Sequence, residues 1–274
     1  METESNLLDR EIAEILRTVV DEAPESVLVV NPSHDAIEEL INVATQYDGD
    51  LPTLRMLAES GTLKDVMEDF IVASNAADLV DAGTLSLRTT DDVPSNSLLV
   101  TDEVVIALVT ADDRIGGLVA DDKEFVGEAY DSYTEQFEAA SEFSLRTPPL
   151  SRVRDTLGDE ISPDAQEDFD EVLSSMETAR GDGDGLDEVT ISLLVAAKNE
   201  ALLYDISKWG EDVGIASKAT FSRTKTKLED MGLIGTEKVP IDVGRPRLRL
   251  KLANDDLRNA ETDQLASAAQ SLLH

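Results

Sequence analysis

The stretch KATFSRTKTKLEDMGLI, residues 218–234, gathers Lys218, Arg223, Lys225 and Lys227 within ten residues of a chain whose formal net charge is −35. Groups of this kind bind polyanions: ammonium and guanidinium ions pair with phosphates, and one guanidinium can make a bidentate contact with guanine in the major groove. On a helix, with about 100° per residue, Phe221 and Leu228 share a seam, and Ala219, Ser222, Arg223 and Thr226 fall opposite, with Thr220 and Lys227 at the flank. Small residues there let a helix lie close to base edges. A second cationic set follows, where PRLRLKL (246–252) alternates Arg247, Arg249 and Lys251 with three leucines, just after Arg245. The pattern nominates Ser217, Lys218, Thr220, Ser222, Arg223, Thr226, Lys227, Arg245, Arg247 and Arg249 as contacts to double-stranded DNA.

Other chemistries find little support. There is no cysteine, and the two histidines, His34 and His274, are not followed by Lys in an H-x-K spacing. No phosphate-binding Gly-rich motif is present, and Asp182 and Asp184 in GDGDG (181–185) lack the remaining ligands of a calcium loop. Carboxylates are too numerous for proximity to nominate an acid/base pair. The sequence thus predicts no catalytic residue, no metal site and no cofactor. One loop could bind a small anion: Asn31, Ser33 and His34 follow a strand and open a helix, where a sugar phosphate would meet free amides. Ser33 as an ordinary N-cap and His34 as a surface residue is the simpler reading of the same loop.

The elements that must position the cationic groups follow from periodicity. Asp187 caps a helix, VTISLLVAAKNEAL, with Leu193, Leu194, Ala197 and Ala201 on one face; LLYDISKWGEDV is a second helix; Gly214 makes the turn; and Ser217–Met231 is a third, closed at Gly232. Strands 234–241 and 246–252 then form a ribbon, its leucines inward and its cations outward. This is a winged helix-turn-helix over 187–252. Upstream, a helix at Leu7–Val20, a strand at 26–31, helices at Ala36–Gln46 and Leu63–Val80, strands at 85–89, 97–101, 104–110 and 115–120, and a helix at Lys123–Phe143 make an α/β effector or dimerisation domain, 1–145. Between the two, 146–186 reads as a helical linker broken by Pro148, Pro149 and Pro163 and ending in a flexible GDGDG joint; 253–274 reads as a C-terminal helix. The helices at Pro163–Ala179 and Asp255–Leu273 have no other evident partner and are assigned to homodimer formation.

Charge divides along the same lines. Residues 1–205 hold 12 Lys+Arg and 48 Asp+Glu, residues 206–251 hold 10 and 6, and residues 252–274 hold 1 and 4, so one segment alone is positive. Periodic apolar segments throughout argue against disorder, and the dispersed acidity points to the cytoplasm of an extreme halophile, where salt screens self-repulsion within about 3 Å at 1 M. The acidic start lacks the basic region of a signal peptide and no apolar run approaches bilayer length, so a soluble, cytoplasmic protein without membrane contact is expected.

The segment LLYDISKWGEDVGIASKATFSRTKTKLEDMGLIGTEKVPIDVGRPRLRLKL closely resembles the winged helix of haloarchaeal transcriptional regulators of the TbsP type. VLVVNPS, LKDVMEDFIVASNAADLVDAGTLSLR and NSLLVTDEVVIALVTADDRIGGLVADDKEF are similar to that family's N-terminal domain. The resemblance implies a cytoplasmic DNA-binding regulator of central sugar metabolism genes, working alongside TrmB-type regulators; it does not show which metabolite, if any, is sensed. The strand–helix order before residue 145 is also weakly similar to phospholipase-D-like folds that serve as effector domains. The competing reading is a winged helix that binds another protein; the concentration of positive charge favours DNA.

Overall fold

The computed structural model describes residues 6–23, 25–91, 94–111, 114–180, 186–240 and 246–273. The chain divides into two compact units, residues 1–68 with 75–145, and residues 69–74 with 146–274.

In chain order the elements of the first are β1 (Asn6–Arg10), α1 (Ile12–Glu22), β2 (Ser26–Val30), α2 (His34–Thr45), β3 (Thr53–Ala58), α3 (Ser60–Val66), the part of α4 (Phe70–Asp81) from residue 75, β4 (Leu85–Thr89), β5 (Ser97–Val100), β6 (Val105–Ala111), β7 (Arg114–Ala120), α5 (Lys123–Ala139) and β8 (Ser141–Glu142). The strands form one mixed sheet in the order β1-β7-β6-β5-β2-β3-β4-β8, parallel only across β2-β3-β4. In β2, SVLVV is buried from Val27 to Val30, which requires cover on both faces. Leu28 and Val30, with Leu57, Val100 and Val105, meet Val126 and Phe137 of α5 on one face.

Two arginines seat α5 on this sheet. Arg55 of β3 donates to Ser26 Oγ at 3.2 Å and the Tyr130 hydroxyl at 2.9 Å, with the Tyr130 and Phe137 rings 5.7 and 5.8 Å away. Arg88 of β4 lies 4.8 Å from the Phe137 ring and donates to the carbonyls of Phe137 and Glu138, at the negative end of the α5 dipole.

Several expected boundaries move. The helix expected at Leu7–Val20 begins as strand β1, because its backbone completes the ladder on β7. The helix expected at Leu63–Val80 breaks between Val66 and Phe70 into α3 and α4. There the buried Asp69 carboxylate accepts the Ile71 and Val72 amides at 2.8 and 3.3 Å, starting a new helix. Strand β3 has no counterpart in the sequence reading: TLRMLA is as good a helix former as a strand, and pairing with β2 and β4 decides it. The expected hairpin at 97–110 is present as β5 and β6.

The second unit holds α6 (Leu150–Glu160), α7 (Pro163–Ser174), α8 (Glu188–Lys198), α9 (Leu203–Val213), α10 (Lys218–Asp230), β9 (Ile234–Val239), β10 (Arg247–Leu252), α11 (Asp255–Asn259), a short 3-10 turn (Thr262–Gln264) and α12 (Leu265–Leu273). Segment 146–174 is not a linker. Leu150, Val153 and Leu157 of α6 and Phe169, Val172 and Leu173 of α7 are buried in one core with α8, α9 and α10. The prolines start helices here: Pro149 is the N-cap of α6 and Pro163 opens α7, where its missing N–H costs nothing. The GDGDG joint lies outside the described residues. The expected C-terminal helix is two helices and a turn, and Leu257, Leu265, Ala266 and Ala269 join the same core. Neither α7 nor α12 is therefore left over for dimer formation by lack of a partner. Among the described residues no helix is long and apolar enough to cross a membrane.

Candidate nucleic-acid interface

α8 is the axis of the cationic unit. Asp187 caps it by accepting the Thr190 amide at 2.7 Å, and Val189 to Ala197 are buried without interruption. An amphipathic helix with one apolar face was expected; α7, α9, α10 and β10 pack around it and bury it on every side. α9 buries Ile206, Trp209, Gly210 and Val213, and the chain's single tryptophan donates from Nε1 to Thr156 Oγ1 of α6 at 2.9 Å. Gly214 ends α9 at φ +100°, a left-handed conformation that a side chain resists, and the amides of Gly214 and Ile215 return to the Gly210 carbonyl.

The crossing of α9 over α10 depends on Gly210. A Cβ at that position would lie 2.3 Å from the Phe221 ring, and Phe221 is fully buried. Ser217 caps α10, accepting the Thr220 amide at 3.2 Å. With Phe221 and Leu228 inward, Ser217, Lys218, Ser222, Arg223, Thr226 and Lys227 are exposed along the helix and Thr220 is half-buried. Thr220 still belongs to the group, since Arg223 Nη2 donates to its hydroxyl at 3.4 Å. The Thr226 hydroxyl donates to the Ser222 carbonyl at 3.0 Å.

β9 and β10 form the antiparallel ribbon, Arg247 opposite Val239 through Leu252 opposite Ile234. Leu250 and Leu252 are buried, and Arg247, Arg249 and Lys251 lie half-buried on the other side. Arg245 falls outside the described residues.

The electrostatics of this face were not legible in composition. Most of its cations already hold a carboxylate: Lys218 pairs with Glu211 at 2.6 Å, Lys225 with Glu229 at 2.6 Å, Arg247 with Asp205 at 3.1 Å, Arg249 with Glu200 at 3.9 Å, and Lys251 with Glu237 at 2.6 Å. The Glu211 hydrogen bond raises the Lys218 pKa, and the same bond lowers that of Glu211; Glu237 and Lys251 shift each other likewise. Among the described residues, Arg223 and Lys227 have no carboxylate within 4 Å, and they stand on the outward face of α10.

A cleft of about 510 Å³ opens between the start of α9, the start of α10 and the ribbon, lined by Tyr204, Ser207, Lys218, Ser222 and Arg247 among others. Arg247 stacks 4.5 Å from the Tyr204 ring, and Tyr204 is half exposed. Sequence reading missed Tyr204 and Ser207. Ser207 sits just past a core position of α9, and Tyr204 counts as an ordinary aromatic until β10 brings Arg247 over it.

The loop nominated for a small anion holds its polar groups inward or on neighbours. Asn31, at φ +49°, donates from Nδ2 to the Pro94 carbonyl at 2.7 Å and accepts from Ser97 Oγ at 2.6 Å. Ser33 Oγ accepts the Ala36 amide at 3.3 Å as the N-cap of α2, and His34 Nε2 lies 3.7 Å from Asp65. Among the described residues no group of three or more His, Cys, Asp and Glu side chains is arranged to hold a metal ion.

Two family models match the chain. Transcriptional regulator TbsP-like, N-terminal, covers residues 4–148, and Transcriptional regulator TbsP-like, C-terminal HTH domain, covers residues 149–270. No curated protein matches. A solved structure of TrmBL2, described as an archaeal chromatin protein that shows a novel mode of DNA binding, is similar over 52% of this chain and 55% of its own, at 17% identity and a TM-score of 0.38. The chain thus spans little more than half of that protein, and a likeness so distant carries no argument.

Proposed function

The chain belongs to the TbsP-like transcriptional regulators, and from that membership we propose that it binds double-stranded DNA sequence-specifically, laying α10 in the major groove. The observation that carries this reading is the outward face of α10. Ser222, Arg223, Thr226 and Lys227 are exposed there, and Arg223 and Lys227 hold no carboxylate among the described residues while their cationic neighbours do. A guanidinium without a carboxylate partner on a face of small side chains is what base reading needs. The flanking Lys218, Thr220 and Ser217, and Arg247 and Arg249 with Arg245 at the ribbon, act on phosphates.

Finer features belong to the same proposal. The protein works as a cytoplasmic homodimer in concentrated salt, on an imperfect inverted repeat, because one helix-turn-helix makes too few contacts alone. Residues 187–252 are its DNA-reading part and residues 1–145 its dimerising or sensing part. We propose central sugar metabolism genes as its targets; the phospholipase-D likeness finds no support. A sugar-phosphate effector at Asn31, Ser33 and His34 is the weaker element, since the partners those side chains hold favour a capping role.

The test is selection of bound fragments from random DNA in molar KCl, followed by affinities for the selected and a scrambled site. Arg223→Ala should cost about 1–3 kcal/mol on the selected site and little on the scrambled one, whereas Arg249→Ala should weaken both alike. Failure to enrich any sequence would sink the proposal.

A further inference from the structure

The face of the first unit's sheet that carries α5 is only partly covered. α5 lies over β2, β3 and β5, while β6 and β7 continue past it. Their register places Leu98, Ala107 and Leu118 in one row on this face, with Val109 one step beyond. Leu118 is 48% exposed, Val109 45% and Phe125, at the start of α5, 52%. Between this row and the flank of α5 runs a groove of about 570 Å³, whose floor is Leu98, Val105, Ala107 and Ala120 and whose rim carries Phe125.

Charge makes the patch unusual. The unit holds 7 Lys and Arg against 32 Asp and Glu, a net of −25, yet among the described residues lining the groove Glu128 is the one acidic or basic side chain. Two molecules of such a unit repel each other across most of their surfaces, and salt shortens that repulsion without creating attraction. Contiguous apolar surface creates attraction, and salt does not screen it. Shape narrows the occupant further. An exposed aromatic knob, Phe125, stands beside an open apolar groove on one patch, which is what an isologous two-fold contact requires: each copy offers both knob and hole.

We propose that this face is the dimer interface, with Phe125 of each copy seated in the partner's groove against Leu98, Ala107 and Leu118. The choice of a second copy as partner rests on the two-fold reading above, whereas the apolar face stands without it. The interface lies in the acidic unit, outside the cationic one.

The test is sedimentation velocity of the full chain in about 2 M KCl without DNA, where the Debye length is below about 3 Å. The wild type is expected as a dimer, and Phe125→Glu and Leu118→Glu as monomers of half that mass with unchanged far-UV circular dichroism. Glu in the first turn of α5 suits its dipole, so the first variant should fold. Val80→Glu, an exposed apolar position on α4, should stay dimeric and controls for added charge. A monomeric wild type, or glutamate variants as dimeric as the parent, would overturn the interface. So would a monomer that binds an apolar fluorophore in a manner lost in Leu118→Glu, since the groove would then belong to a small ligand. A dimer that selects no DNA sequence would remove the regulator reading and leave this interface standing.

Discussion

At the scale of single residues, the two positions that matter most to the proposed contact differ in how far sequence could see them. Arg223 was legible, because helical periodicity alone sets it opposite Phe221 and Leu228. Gly210 was not, because its role is the absence of a Cβ under a ring eleven residues away. Gly210→Ala should destabilise the fold by about 1–3 kcal/mol, since the Phe221 ring is buried and has nowhere to move. Denaturant unfolding at constant KCl measures this, and a variant as stable as the parent would mean that α9 can lift off α10 freely. Tyr204 belongs with Gly210. With Arg247 over its ring and Asp205 beside it, it fixes the base of the ribbon against α9. Tyr204→Ala should therefore weaken binding to selected and scrambled DNA by a similar factor, and a loss confined to the selected site would make Tyr204 a base-reading residue instead.

At the scale of elements, the cationic surface is a set of matched pairs more than a bare positive field. Glu211, at the end of α9, holds Lys218, at the start of α10, so a phosphate that takes Lys218 must displace a carboxylate. Glu211→Gln should raise affinity for any DNA and steepen the fall of log K with log salt, by up to about one unit of slope for one newly unpaired cation. Filter binding over a KCl series reads both, and an unchanged slope would mean that Lys218 does not touch phosphate. The order of α8, α9, α10 and ribbon was legible from caps, glycines and alternation. What surrounds α8 was not. Its burial on every side comes from α7, α9, α10 and β10, and α7 lies in a segment whose prolines and acidity read as connection.

At the scale of the whole molecule, an acidic body and a DNA-binding face are compatible only if affinity does not depend on counterion release. An ordinary repressor with about 6–10 phosphate contacts loses about 10³–10⁵ in affinity between about 50 and 200 mM salt. Here most of the face's cations are already neutralised by the chain's own carboxylates, and those carboxylates can take up cations when phosphate displaces them. Specific binding should persist from about 0.5 to 3 M KCl with a weak dependence on salt. Affinities for a selected site across that series check it, and a steep fall would sink it. The sequence by itself determined the family, through the segments that carry the resemblance, and the winged helix and the site of charge inversion, because these two rest on local periodicity, capping and composition. Tertiary structure alone decided which cations are free, that residues 146–174 belong to the core, and that β1 and β3 are strands. It also decided which apolar residues of the sheet remain uncovered. Each of these depends on what a distant segment places alongside, and neither periodicity nor composition encodes that neighbour.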